Sequence, residues 1–117
     1  MDASSLANLG LFSDAERLCR QALEIDSKTI GTDHPSHSTH LRNLAGVVAA
    51  QARYPEAEVL SRQAIAILRD RLGDAHPNTR TVAQNLLSLL ETHNPTAPDI
   101  PALRALLALS PPRGATR

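Results

Sequence analysis

Residues 36–72 read SHSTHLRNLAGVVAAQARYPEAEVLSRQAIAILRDRL. In the first half, from Ser36 to about Ala52, Leu41, Leu44, Ala45, Val48 and Ala52 recur at three and four residues, which predicts one apolar face of a helix. The second half, Pro55 to Leu72, answers with Ala57, Leu60, Ala64, Ile67 and Leu68. Between them Arg53-Tyr54-Pro55 places a proline where its missing N–H has no helical partner, at the head of a new helix. Glu56 and Glu58 in that first turn favour the positive end of the helix dipole. The stretch is therefore two antiparallel helices, closed by the loop Gly73-Asp74-Ala75-His76-Pro77. Ala45, Ala57 and Ala64 are small residues at facing sites and let the axes approach to about 8 Å.

Moved back by 42 residues, this unit overlays what precedes it. Ala15 falls on Ala57, Glu16 on Glu58, Leu18 on Leu60, Arg20-Gln21-Ala22 on Arg62-Gln63-Ala64, Gly31 on Gly73, His34-Pro35 on His76-Pro77, and Asn43-Leu44 on Asn85-Leu86. There are 13 identities over the 36 positions from Leu9 to Leu44, without a gap. A fixed period of this size predicts an array of stacked helix pairs.

The first long helix is read from Ser13 to Ile30, opened by a Ser13/Glu16 capping box and carrying Ala15, Leu18, Cys19, Ala22 and Ile25 on its apolar stripe. Glu16–Arg20 and Glu58–Arg62, spaced i, i+4, read as solvated surface pairs. Gly31 and Gly73 stand where a left-handed residue ends a helix, and Pro35 and Pro77 where the next begins. Asp2–Leu9 falls on Leu44–Gln51, so the array is entered in mid-helix, and the exposed flank reads as a fragment of a longer array or a face that another segment covers. Pro77–His93 opens a third unit with Val82, Ala83, Leu86, Leu87 and Leu90 inward. The pattern then fails at Asn94-Pro95-Thr96-Ala97-Pro98-Asp99, and a short helix from Pro101 to Leu109, with Leu103, Leu106 and Leu107 inward, caps the end. The expected layout is a repeat array over 1–93 (partial unit 1–35, full unit 36–77, first helix of a third unit 78–93), a proline-rich linker and capping helix over 94–109, and a disordered tail over 110–117. In class it is all-α, a right-handed α-solenoid of antiparallel helix pairs with five principal helices and one shorter helix.

Composition excludes several roles. With 12 Lys+Arg against 12 Asp+Glu the chain has no net field to draw it to nucleic acid or an anionic membrane. One Phe and one Tyr leave the core to Leu, Ile, Val and Ala. A single cysteine, Cys19, forms no internal disulfide and points to a cytoplasmic setting. No signal-peptide pattern opens the chain, and no segment approaches the ~18 apolar residues of a membrane span.

The recurring residues resemble the tetratricopeptide repeat, in its 42-residue form found in kinesin light chains. The match is Leu41-x-x-Leu44-Ala45 in the first helix of the pair, Tyr54-x-x-Ala57 and Ala64 in the second, and Gly73-x-x-His76-Pro77 in the loop. It departs from the pattern at Val48, at Cys19 and Ser61, where aromatics are usual, and at Leu87, where a small residue is usual. The resemblance implies a curved ribbon whose concave face, lined by the first helices of each pair, holds a peptide or protein segment. It places Asn43 and Asn85 where an asparagine lines that groove and bonds the backbone or carboxylate of a ligand. An amide carries both donors and an acceptor, as peptide groups require. The alternative is that the two asparagines bond neighbouring helices and hold the stack together. Thr39, Arg42, Gly46, Ala49 and Thr81 share the face, with Arg42 adding a mild preference for an acidic residue. Thr39 and Thr81 stand where relatives that clamp acidic C-terminal chaperone tails carry lysines, so binding of such tails is not expected.

Other constellations argue against catalysis. His34, His37 and His40 fall three apart, a spacing at which imidazoles share a metal, but His34 recurs in the loop as His76 whereas His37 and His40 fall on Thr79 and Val82, so no metal site is expected. Cys19 sits on an apolar stripe, where a thiol is a small hydrophobe. There is no phosphate-binding glycine loop and no nucleophile–histidine–acid order, so neither an enzyme nor a cofactor site is expected. Ser110-Pro111 is a short pattern that chance supplies, and a role as a phosphorylation site is not expected. Three functions remain: a scaffold binding a protein or peptide segment in the groove, a self-associating spacer fragment of a longer array, and a regulatory module of a larger multidomain protein, which the family resemblance alone implies.

Overall fold

A computed structural model describes the backbone of residues 3–108 and the side chains of residues 11–108. The described residues form five helices and no strand: α1 (Ala3–Lys28), α2 (Pro35–Ala50), α3 (Tyr54–Arg71), α4 (Pro77–His93) and α5 (Ile100–Ala108). Each helix contacts the next in chain order, with α2 against α3 the most extensive pair. That is the nearest-neighbour stacking of a repeat array. The tail expected over 110–117, including Ser110-Pro111, lies outside the described residues.

The repeat punctuation behaves as its chemistry requires. Gly31 and Gly73 take φ of 91° and 87°. Their amides donate to the carbonyls of Asp26 and Leu68, closing the ends of α1 and α3. Pro35 and Pro77 open α2 and α4. The recurrent histidines before them are caps: His34 Nδ1 accepts from the Ser36 amide at 3.0 Å and His76 Nδ1 from the Asn78 amide at 3.1 Å. An imidazole nitrogen here does the work of the usual Ser or Asp at a helix start.

The entry to the array differs from expectation. Instead of a short helix, a turn and a second helix, α1 runs unbroken from Ala3 to Lys28, giving five helices where six were predicted. Ser13 lies inside it, so the Ser13/Glu16 capping box does not form. The reason is at the counterpart junction, where Pro55 forbids a continuing helix and Ala52, outside α2 rather than on its stripe, turns the chain with φ of 62°. The residue that aligns with Pro55 is Ser13, which a helix accepts.

The core is Leu41, Leu44, Ala45 and Val48 of α2, Ala57, Leu60, Ala64, Ile65 and Leu68 of α3, Val82, Ala83, Leu86, Leu87 and Leu90 of α4, and Ile100, Leu103 and Leu106 of α5. Leu107 is partly buried. The α1 stripe is displaced. Cys19 and Leu23 pack against the core, whereas Leu18 and Ile25 are each 60% exposed. Leu60, the counterpart of Leu18, is only 8% exposed because α2 and α4 flank α3. Among the described residues α1 packs extensively on α2 alone.

Glu58 and Arg62 are not a solvated pair. Glu58 is buried, accepts from Asn94 Nδ2 at 3.1 Å, and lies 3.4 Å from Arg62, which grips Asp99 through Nε at 2.8 Å. One period earlier Glu16 accepts from Gln51 and Arg53, and Arg20 reaches Glu56. The repeated Glu and Arg therefore tie each second helix of a pair to the bend that follows the next first helix. This tie places the linker 94–99 against α3 and brings Tyr54 and His93 into a ring stack with centroids 3.5 Å apart.

Candidate functional site

Two adjoining hollows run between α2 and α4 over the floor made by α3. One, about 180 Å³, is lined by Arg42, Ala45, Gly46 and Ala49 of α2, Ala57 and Ser61 of α3, and Asn85 and Leu89 of α4. The other, about 70 Å³, is lined by Ser38, Thr39, Arg42, Leu68, Asn78 and Val82. Arg42 belongs to both, so they form one groove with Arg42 in the middle. Small residues make the space: a Cβ added at Gly46 meets nothing within 4 Å. Larger hollows exist, of about 460 Å³ along α1 and about 420 Å³ at the α2–α3 rim. The first is bounded by α1 residues alone and has no opposing wall.

Of the residues singled out from sequence, Thr39, Arg42, Gly46 and Asn85 line this groove. Asn43 and Thr81 do not, although both are exposed. On a helix a one-residue step turns the side chain by about 100°. Arg42 faces α4 across the groove, and the following residue points away from it, toward α1. Asn43 is thus exposed outside the groove. The side-chain amides of Asn43 and Asn85 make no hydrogen bond to any described residue. Thr39 and Thr81 hydroxyls bond back to the carbonyls of Pro35 and Pro77.

Asn78, Leu89 and Ser38 were not singled out. Asn78 and Asn85 are seven apart on α4, two helical turns, and with Val82 and Leu89 they form one stripe that periodicity alone shows. Asn78 aligns with Ser36, so the 42-residue repeat does not mark it.

The three histidines separate. His34 caps α2, while His37 and His40 converge through Nδ1 on Asp26 Oδ2 at 3.1 and 2.6 Å. The acid they share, Asp26, is brought to them by the fold from α1. Donation from His40, and less from His37, holds the Asp26 carboxyl below its usual range. No group of three or more His, Cys, Asp or Glu among the described residues is arranged to hold a metal. Burial, with a smaller contribution from Glu16, raises the pKa of the Cys19 thiol, which makes it a poorer nucleophile at neutral pH. No helix among the described residues is long and apolar enough to cross a membrane.

Comparison with curated protein sequences finds no match. A family model described as tetratricopeptide repeat matches residues 3–70, more than half of the chain, and the helix-pair stack agrees with it. The chain belongs to the tetratricopeptide-repeat family.

Proposed function

We propose that the chain is a non-enzymatic scaffold that holds an extended segment of another protein in the groove between α2 and α4. The observation that carries this reading is the groove itself: walls from three helices, small residues along α2, and at its edge the Asn85 side-chain amide without a partner among the described residues. An extended segment presents alternating N–H and C=O groups, and Asn85 offers the complement to both. The family's general role in protein–protein interaction supports it. The 42-residue form, the concave placement of the groove and a cytoplasmic setting complete the reading. Gly46→Phe tests it, since the structure leaves room for a side chain there that would fill the groove. Gly46→Phe and Asn85→Ala are expected to melt with the parent and to lose protein capture from a lysate. Capture that survives in both removes the groove from consideration.

A second reading rests on α1, where Leu11, Leu18 and Ile25, seven residues apart, are 63%, 60% and 60% exposed. These are two helical turns apart and form a stripe suited to self-association. Light scattering at several concentrations decides it. A mass that stays monomeric throughout rules out association through this face.

A further inference from the structure

We infer that the ligand of the α2–α4 groove carries an internal Asp or Glu side chain that pairs with Arg42. The inference rests on the groove-binding reading and names the chemistry of its occupant. Among the described residues, the eight other arginines and Lys28 each meet a carboxylate or a backbone carbonyl. Arg42 meets neither. It is also half-buried, and it is the one charged side chain among the residues lining both hollows. A partly desolvated guanidinium attracts a carboxylate more strongly than a solvated one does, and its planar fork matches the two oxygens. The flanking side-chain amides of Asn78 and Asn85, on α4 opposite, are likewise without partners and suit the backbone on either side of the acidic residue.

The position of Arg42 decides which carboxylate is meant. The groove continues toward Ser38 and Asn78 in one direction and toward Ala49 and Leu89 in the other. A chain lying along it passes Arg42 and extends beyond, so the acid is a side chain within the segment and not a chain terminus.

The test is selection of a phage-displayed library of random decapeptides on the full chain and on its Gly46→Phe, Arg42→Gln and Arg42→Glu variants, each first checked for parental melting. The parent is expected to enrich Asp or Glu at one register, and Arg42→Glu to replace it there with Lys or Arg. A synthetic peptide from the parental pool should bind roughly tenfold more weakly after Glu→Gln replacement, a difference that disappears against Arg42→Gln. If Arg42→Glu does not fold, the Arg42→Gln comparison decides alone. Enrichment that Gly46→Phe abolishes but that shows no acidic register overturns the inference and leaves the groove standing. So does a Glu→Gln loss that persists against Arg42→Gln, or binding that needs a free C-terminal acid and fails for the amidated peptide. A parental pool no richer than that of Gly46→Phe overturns the groove reading, and the inference with it.

Discussion

At the scale of single residues, two buried polar groups decide local stability in opposite ways. Thr79 is 0% exposed and its hydroxyl has no hydrogen-bond partner. An unsatisfied buried hydroxyl costs about 1 to 3 kcal/mol, so Thr79→Val, which keeps the shape, is expected to raise stability by about 1 kcal/mol in urea titration. Glu16 is the reverse case. Its hydrogen bond from Arg53, then those from Gln51 and Arg20, hold its pKa near 2 against an ordinary 4.5. A carboxyl depressed in the folded state contributes stability that is fully present above about 4.5 and is lost as pH falls toward 2. Glu16→Gln should therefore cost about 1 kcal/mol at neutral pH, discounted for the half-exposed arginines, and steadily less as the pH falls through the folded pKa. Urea midpoints of parent and variant across that range check it, and a constant difference contradicts it. The sequence showed Glu16 and Glu58 recurring but read them as surface residues. Their donors lie about 36 residues away, beyond what helical spacing reveals.

At the scale of elements, the apolar period and the Gly–His–Pro punctuation set α2, α3 and α4 almost to the residue, because each boundary carries a residue with one conformational use. The first element was misjudged where that punctuation is missing. The 42-residue shift sets Asp2–Leu9 on Leu44–Gln51 and so implies a break before Ser13, but without a proline at residue 13 nothing stops the helix. The α2–α3 pair rests on Ala57 and Ala64, both fully buried. Ala57→Leu or Ala64→Leu should force the helices apart and cost about 1 to 3 kcal/mol, read as a lower melting temperature. Parental melting of both would mean that the pair is not held by close approach. The groove was half legible for a related reason. The resemblance pointed to the asparagine position common to both units, but a groove lies between units and takes different positions from its two walls, Arg42 from α2 and Asn85 from α4.

At the scale of the whole molecule, the units are alike in outline and unlike where they join. Asp26, His37 and His40 sit at the α1–α2 joint, and the period places Leu68, Thr79 and Val82 at the corresponding α3–α4 joint. One joint is hydrogen-bonded through a carboxylate and the other is nearly all apolar. The units of this chain are therefore not interchangeable parts. Duplicating residues 36–77 in tandem would set the new His37 and His40 against Leu68, burying two imidazoles without an acceptor. An added repeat normally contributes its own stability plus one interface. Here the lengthened chain should gain little, and should gain more when Leu68 of the first copy is changed to Asp. The same Leu68→Asp change in the natural chain buries a carboxylate against Thr79 and Val82 and should destabilise it. A single substitution whose effect on the melting temperature reverses with the order of the units would show that this array carries, in its joints, a record of which unit belongs beside which.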